Sequence, residues 1–86
     1  MCREHGLPLP ETQVAIAGYE LDCLWRHAGI AAEFDGRETH DTTKAYYDDR
    51  LRDRKLKVAG IEVIRITWRD LEPDPTELIG DLRALL

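Results

Sequence analysis

The sequence predicts an α/β fold in which a mixed four-stranded sheet, built in the order β-β-β-α-β-α, is flanked by helices. Three observations carry this. Apolar residues alternate at period two on both sides of Gly18, at Val14 and Ile16 before it and at Tyr19, Leu21, Cys23 and Trp25 after it, which is a hairpin pattern. Residues 43–59 contain no Gly or Pro and are rich in helix formers. A β-branched run at 61–68 then precedes a last segment with apolar residues at helical spacing. A tight hairpin pairs its strands antiparallel, whereas a long helix permits a parallel crossover, so the sheet is mixed.

Each element has its own warrant. Gly6, Pro8 and Pro10 punctuate residues 1–10, an expected extended or flexible lead-in to a single domain spanning 11–86. Strict alternation through 19–25 places Tyr19, Leu21, Cys23 and Trp25 on one face and Glu20, Asp22 and Leu24 on the other. Residues 30–36, Ile-Ala-Ala-Glu-Phe-Asp-Gly, form a third strand with an acidic end, closed by Gly36. Asp41 and Thr42 are candidate N-caps for the helix at 43–59, and Gly60 suits its C-terminal cap. The strand at 61–68 carries Ile61, Val63 and Arg65 on one side and Glu62, Ile64, Ile66 and Trp68 on the other. After Pro73 and Pro75, Leu78, Ile79, Leu82, Leu85 and Leu86 mark an amphipathic helix over 76–86, with Asp74 or Thr76 near its start.

Eighty-six residues make one thin-cored domain. Hydrophobic residues at 43% and charged residues at 34% exclude a disordered chain. No apolar run approaches the roughly 20 residues of a membrane span, and the N-terminus lacks a signal peptide's apolar stretch, so a cytoplasmic protein without membrane contact is expected. Cys2, His5, Cys23 and His27 are the residues a zinc site would use, but they lack C-x-x-C or H-x-x-x-H spacing, which leaves a mobile terminus and a buried thiol as the expectation. The net charge of −5 opposes non-specific adhesion to nucleic acid over the whole surface but leaves room for a local basic face.

Asp22, Glu33, Asp35, His40, Asp49, Arg52 and Asp53 form the chemically informative group. Carboxylates in or beside strands are costly to bury unless they are paired or bind a cation. Mg²⁺ takes oxygen ligands, and two carboxylates with waters suffice for it. On the helix, Asp49, Arg52, Asp53 and Leu56 share one sector, so that if Leu56 faces the core, Arg52 neutralises Asp49 or Asp53 or reaches a phosphate. Arg50, Arg54 and Lys57 cluster on another face, as a phosphate-backbone track or as a solvated face paired with Asp48 and Asp53. Other readings of the same residues are plain. Asp22 also suits a turn beside the strand, Asp35-Gly36 is a common turn pair, and His40 suits an exposed loop. Trp25 and Trp68 are expected in the packing, and Tyr46 and Tyr47 either there or as platforms for bases.

Four ordered motifs narrow the choice: G-Y-x-L-D at 18–22, A-E-F-D-G-R-x-x-H at 32–40, D-x-x-R-D-x-x-L-x-x-x-G at 49–60 and V-I-R-I-T-W-R-D-L at 63–71. In this order they resemble a bacterial domain family related to very-short-patch-repair endonucleases, within the restriction-endonuclease-like PD-(D/E)xK superfamily. The resemblance covers about residues 11–86. It implies a restriction-endonuclease-like fold and a metal-dependent endonuclease or nickase that hydrolyses DNA phosphodiesters. Asp22 and Glu33 would then hold Mg²⁺, with Mn²⁺ as a substitute, and the ion would activate a water. Asp35 stands where the superfamily carries a lysine, which leaves His40 as candidate base or phosphate-positioning group and Asp35 as an addition to the metal site or a partner of His40. Arg50, Arg52, Arg54 and Lys57 are the candidate DNA contacts. Two alternatives stand beside this: a catalytically weak nucleic-acid-binding or regulatory module, as in a toxin–antitoxin system, or an interaction fragment of a longer protein with a parent domain or partner protein.

Overall fold

A computed structural model of the chain describes residues 2–34 and 43–86. Its elements are β1 (Glu11–Ile16), β2 (Tyr19–Trp25), β3 (Ile30–Phe34), α1 (Thr43–Val58), β4 (Glu62–Ile66), α2 (Trp68–Leu71) and α3 (Thr76–Leu85). The four strands lie in the order β1-β2-β3-β4, antiparallel across the first two pairings and parallel between β3 and β4. The expected mixed sheet with flanking helices is therefore present, and β3-α1-β4 is its crossover.

Local chemistry explains the joints. Ala17 and Gly18, with φ of 54° and 84°, make a two-residue turn of the kind whose twist matches a hairpin, and they leave Ile16 opposite Tyr19. At the end of α1, the Gly60 N–H donates to the Lys57 carbonyl (3.0 Å) and the Ile61 N–H to the Leu56 carbonyl (2.8 Å), while Gly60 takes φ 87°. These two hydrogen bonds close the helix, and the accompanying apolar contact comes from Leu56 and Ile61, which share one buried cluster. Gly29 aligns the parallel strands: its carbonyl accepts the Glu62 N–H at 2.8 Å, and a Cβ there would meet the Gly60 carbonyl oxygen at 2.7 Å. The Asp74 carboxylate accepts the Thr76 N–H at 3.0 Å, fixing the start of α3, and these Thr76 hydrogen bonds hold its pKa below the ordinary carboxylate value.

The sheet separates two cores. On one face Trp25, Ile30, Ala32 and Ile66 pack with Leu78, Ile79 and Leu82 of α3 and with Leu7. On the other Leu21, Leu24, Ala31 and Ile61 pack against Leu56, the buried residue of α1.

Three expectations change. Residues before Glu11 are anchored: Arg3–His5 form a 3₁₀ turn, Leu7 is buried, and the Trp25 indole N–H donates to the Pro8 carbonyl at 2.7 Å. A buried indole needs an acceptor, and this segment supplies it. The last strand stops at Ile66 because the Asp70 carboxylate accepts the Thr67 N–H at 2.8 Å and turns the chain into α2. Trp68 consequently begins a helix and is 51% exposed, where packing was expected.

The third change matters for the site. Alternation along β2 breaks at Asp22, so Leu21 and Leu24 pack on the α1 face while Cys23 and Trp25 pack on the α3 face. The ladder runs Thr12 opposite Cys23 and Val14 opposite Leu21, with Gln13 between them at φ 52°. That left-handed residue kinks the hairpin opposite Asp22, and the side chains beyond the kink change faces.

Candidate functional site: a carboxylate pair under a basic helix

Among the described residues, the β2–β3 ladder pairs Trp25 with Ile30, Leu24 with Ala31 and Cys23 with Ala32. At the next step, beside the kink, two side chains replace the ladder. The Asp22 N–H donates to Glu33 Oε2 at 2.6 Å, and the Phe34 N–H donates to Asp22 Oδ2 at 3.0 Å. Each carboxylate thus takes a backbone donor of the opposite strand that the kink removes from regular pairing. The two bonds tie the ends of β2 and β3 together where the ladder stops, the Asp22 one part-buried and the Phe34 one exposed.

Glu33 is 9% exposed, a buried charge that needs compensation. Arg52 of α1 provides it by donating from Nη2 to Glu33 Oε1, and the same nitrogen donates to the Glu20 carbonyl at 3.1 Å. Its guanidinium lies 5.8 Å from the centre of the Tyr19 ring, a cation–π contact. One strand position along, Arg65, opposite Glu33 in the β3–β4 register, donates to Asp53 Oδ1 at 2.9 Å. Two arginines, one from the helix and one from the sheet, therefore pair with carboxylates across the α1–sheet contact.

Asp22 and Glu33 also act on Cys23. Burial, then the Asp22 charge, then Cys2 and Glu33, push its thiol pKa above the ordinary value.

The candidate residues from the sequence divide as follows. Asp22, Glu33 and Arg52 come together. Arg50, Arg54 and Lys57 share a separate groove with Asp53, Glu62 and Val63, between the exposed side of α1 and the start of β4. Asp35 and His40 lie outside the described residues. The expected sector on α1 is right in its inner members, since Leu56 is buried and Arg52 and Asp53 are half-buried, while Asp49 is exposed. The pairing differs: Arg52 engages Glu33 instead of Asp49 or Asp53, and Asp53 engages Arg65. The roles of Arg65 and Tyr19 were missed. A lone cation inside a β-branched run was the available signal for Arg65, and none pointed to Tyr19.

Carboxylate oxygens are the donors a hard divalent cation prefers, so the pair suits Mg²⁺ by type. Three of the four oxygens nevertheless serve Arg52 and two backbone N–H groups, and no group of three or more His, Cys, Asp and Glu side chains is assembled for a metal among the described residues. A cation and the Arg52 guanidinium are alternatives on Glu33. No helix among the described residues is long and apolar enough to cross a membrane.

No family model and no solved structure matches the chain. It is 32% identical over 80 residues to two Mycobacterium tuberculosis proteins, the uncharacterized proteins MT2308 and Rv2248. Each alignment takes in 87% of this chain and 30% of the relative, so the chain spans less than a third of the length of these curated relatives.

Proposed function

We propose that this chain is a DNA-engaging domain of restriction-endonuclease-like kind that hydrolyses phosphodiesters at the Asp22–Glu33 pair. The observation that supports this most is the meeting of two acids from adjacent strands, joined through Asp22 N–H and Phe34 N–H, beneath a helix whose outer face carries Arg50, Arg54 and Lys57. Mg²⁺ or Mn²⁺ held by Asp22 and Glu33 would polarise the phosphate and lower the pKa of an attacking water. The protein's own part is to keep both carboxylates fixed by backbone donors and to bring α1 against the DNA backbone. His40 is the candidate base or phosphate-positioning group, and Asp35 an addition to the metal site or a partner that orients His40. For the ion to be held, Arg52 must yield Glu33, and a DNA phosphate is a partner of matching geometry for the released guanidinium.

The Arg52–Glu33 ion pair favours a second reading, a domain that binds DNA without cleaving it. Incubation of the chain with supercoiled plasmid and with mismatched duplex, in Mg²⁺ or Mn²⁺, separates the two. Hydrolysis predicts nicking that Asp22→Ala and Glu33→Ala abolish. Nicking that survives both substitutions removes the acids from the reaction, and salt-dependent binding without nicking selects the second reading.

A further inference from the structure

Five of the chain's twelve Lys and Arg residues fall between positions 50 and 57, in a protein of net charge −5. Three of them, Arg50, Arg54 and Lys57, follow Tyr46 at spacings of four, eight and eleven residues. At about 100° per residue these four side chains occupy one stripe roughly 80° wide, and at about 1.5 Å per residue it runs for about 16 Å. Tyr46 begins the stripe. The residue is 62% exposed, with the Arg50 guanidinium 4.8 Å from the centre of its ring. The acids beside the stripe are partly neutralised: Asp53 by Arg65 at 2.9 Å and Glu62 by Lys57 at 3.6 Å. The stripe thus has a net positive charge and a flat aromatic surface at one end.

We infer that this stripe binds a single-stranded segment of DNA, with Arg50, Arg54 and Lys57 on successive phosphates and Tyr46 stacked against an unpaired base. The inference rests on the proposed DNA-engaging function and specifies the form of DNA. Cations alone suit either form, because both present regular phosphates. The tyrosine makes the difference. In a duplex the bases are stacked on one another inside the helix, and a ring on a helix surface meets none of their faces. An unpaired base offers a face to a ring, and stacking of this kind is tolerant of sequence. Arg50 against Tyr46 restricts the orientation of the guanidinium and places it beside the phosphate of the stacked nucleotide. Neither contact involves the Asp22–Glu33 pair.

Fluorescence anisotropy of the full 86-residue chain with a labelled single-stranded oligodeoxynucleotide, and with the same sequence as a blunt duplex, tests the inference. The single strand should bind more tightly. Tyr46→Leu should weaken single-strand binding about tenfold and leave duplex binding within twofold, and Tyr46→Phe, which keeps the ring, should retain it. Replacing Arg50, Arg54 and Lys57 together by Ala should flatten the slope of log affinity against log salt by about 2 for the single strand. An equal loss on both forms, or no loss with Tyr46→Leu, overturns the stacking role, as does tighter wild-type binding to the duplex. Failure of the wild-type chain to bind either form overturns the DNA-engaging function itself, and this inference with it.

Discussion

The two faces of the sheet are held by different physics. On the α3 face, Leu78, Ile79 and Leu82 meet Trp25, Ile30 and Ile66, so burial of hydrocarbon fixes the helix with no directional demand. The α1 face has a single buried helical residue, Leu56, flanked by Arg52 on Glu33 and by Arg65 on Asp53. Apolar contacts resist sliding weakly, whereas a charge-assisted hydrogen bond from an arginine to a carboxylate has a direction and so favours one register. The face that holds the Asp22–Glu33 pair is the one oriented by ion pairs. It also has less hydrocarbon holding it closed.

The largest test of this contrast compares Leu82→Ala with Leu56→Ala, both fully buried. Each should lower the stability measured by urea unfolding by about 3 kcal/mol, through lost transfer energy and the cavity left behind. A loss under about 1 kcal/mol for Leu56→Ala would show that ion pairs alone hold α1.

Glu33→Ala comes next, at about 2 kcal/mol, because it leaves the Asp22 N–H without its acceptor and the half-buried guanidinium without its counter-charge, with only the Glu20 carbonyl to accept from it. Arg52→Met should cost a comparable amount, because its methylene stem is replaced and Asp22 still binds Glu33, but the buried Glu33 carboxylate loses its compensating cation. A loss under about 0.5 kcal/mol for Arg52→Met would show that Glu33 does not depend on the guanidinium for compensation.

The smallest expected effect is at the kink. Gln13→Gly should raise stability by about 0.5 kcal/mol, because the left-handed backbone costs a side-chain-bearing residue roughly 1–2 kcal/mol and glycine's extra freedom in the unfolded chain offsets part of the gain. A lower melting temperature for Gln13→Gly would mean that the glutamine side chain itself holds the hairpin.

Much of the fold was legible because its signals are local. Gly18 marked the hairpin, Gly60 the end of α1, and Leu78, Ile79 and Leu82 the buried stripe of α3. Leu7 was not legible, because a Pro- and Gly-punctuated segment shows nothing of the indole donor, seventeen residues from Pro8, that anchors it. The site was legible in its acids but not in their partners. Asp22 and Glu33 stood out as carboxylates in strands, whereas Arg52 looked equally suited to Asp49 or Asp53 on its own helix.

By itself the sequence determined the β-β-β-α-β-α order of the main strands and helices, the apolar stripe of α3, and where the five clustered cations lie, since these follow from the period of the backbone and the chemistry of neighbouring residues. Only the tertiary structure decided that β2 changes faces at Asp22, that the two acids substitute for missing ladder bonds, and that Arg52 pairs across to Glu33. Those outcomes depend on a single left-handed residue in the facing strand and on the placement of a helix over the sheet. Such long-range geometry leaves no periodic trace in the chain.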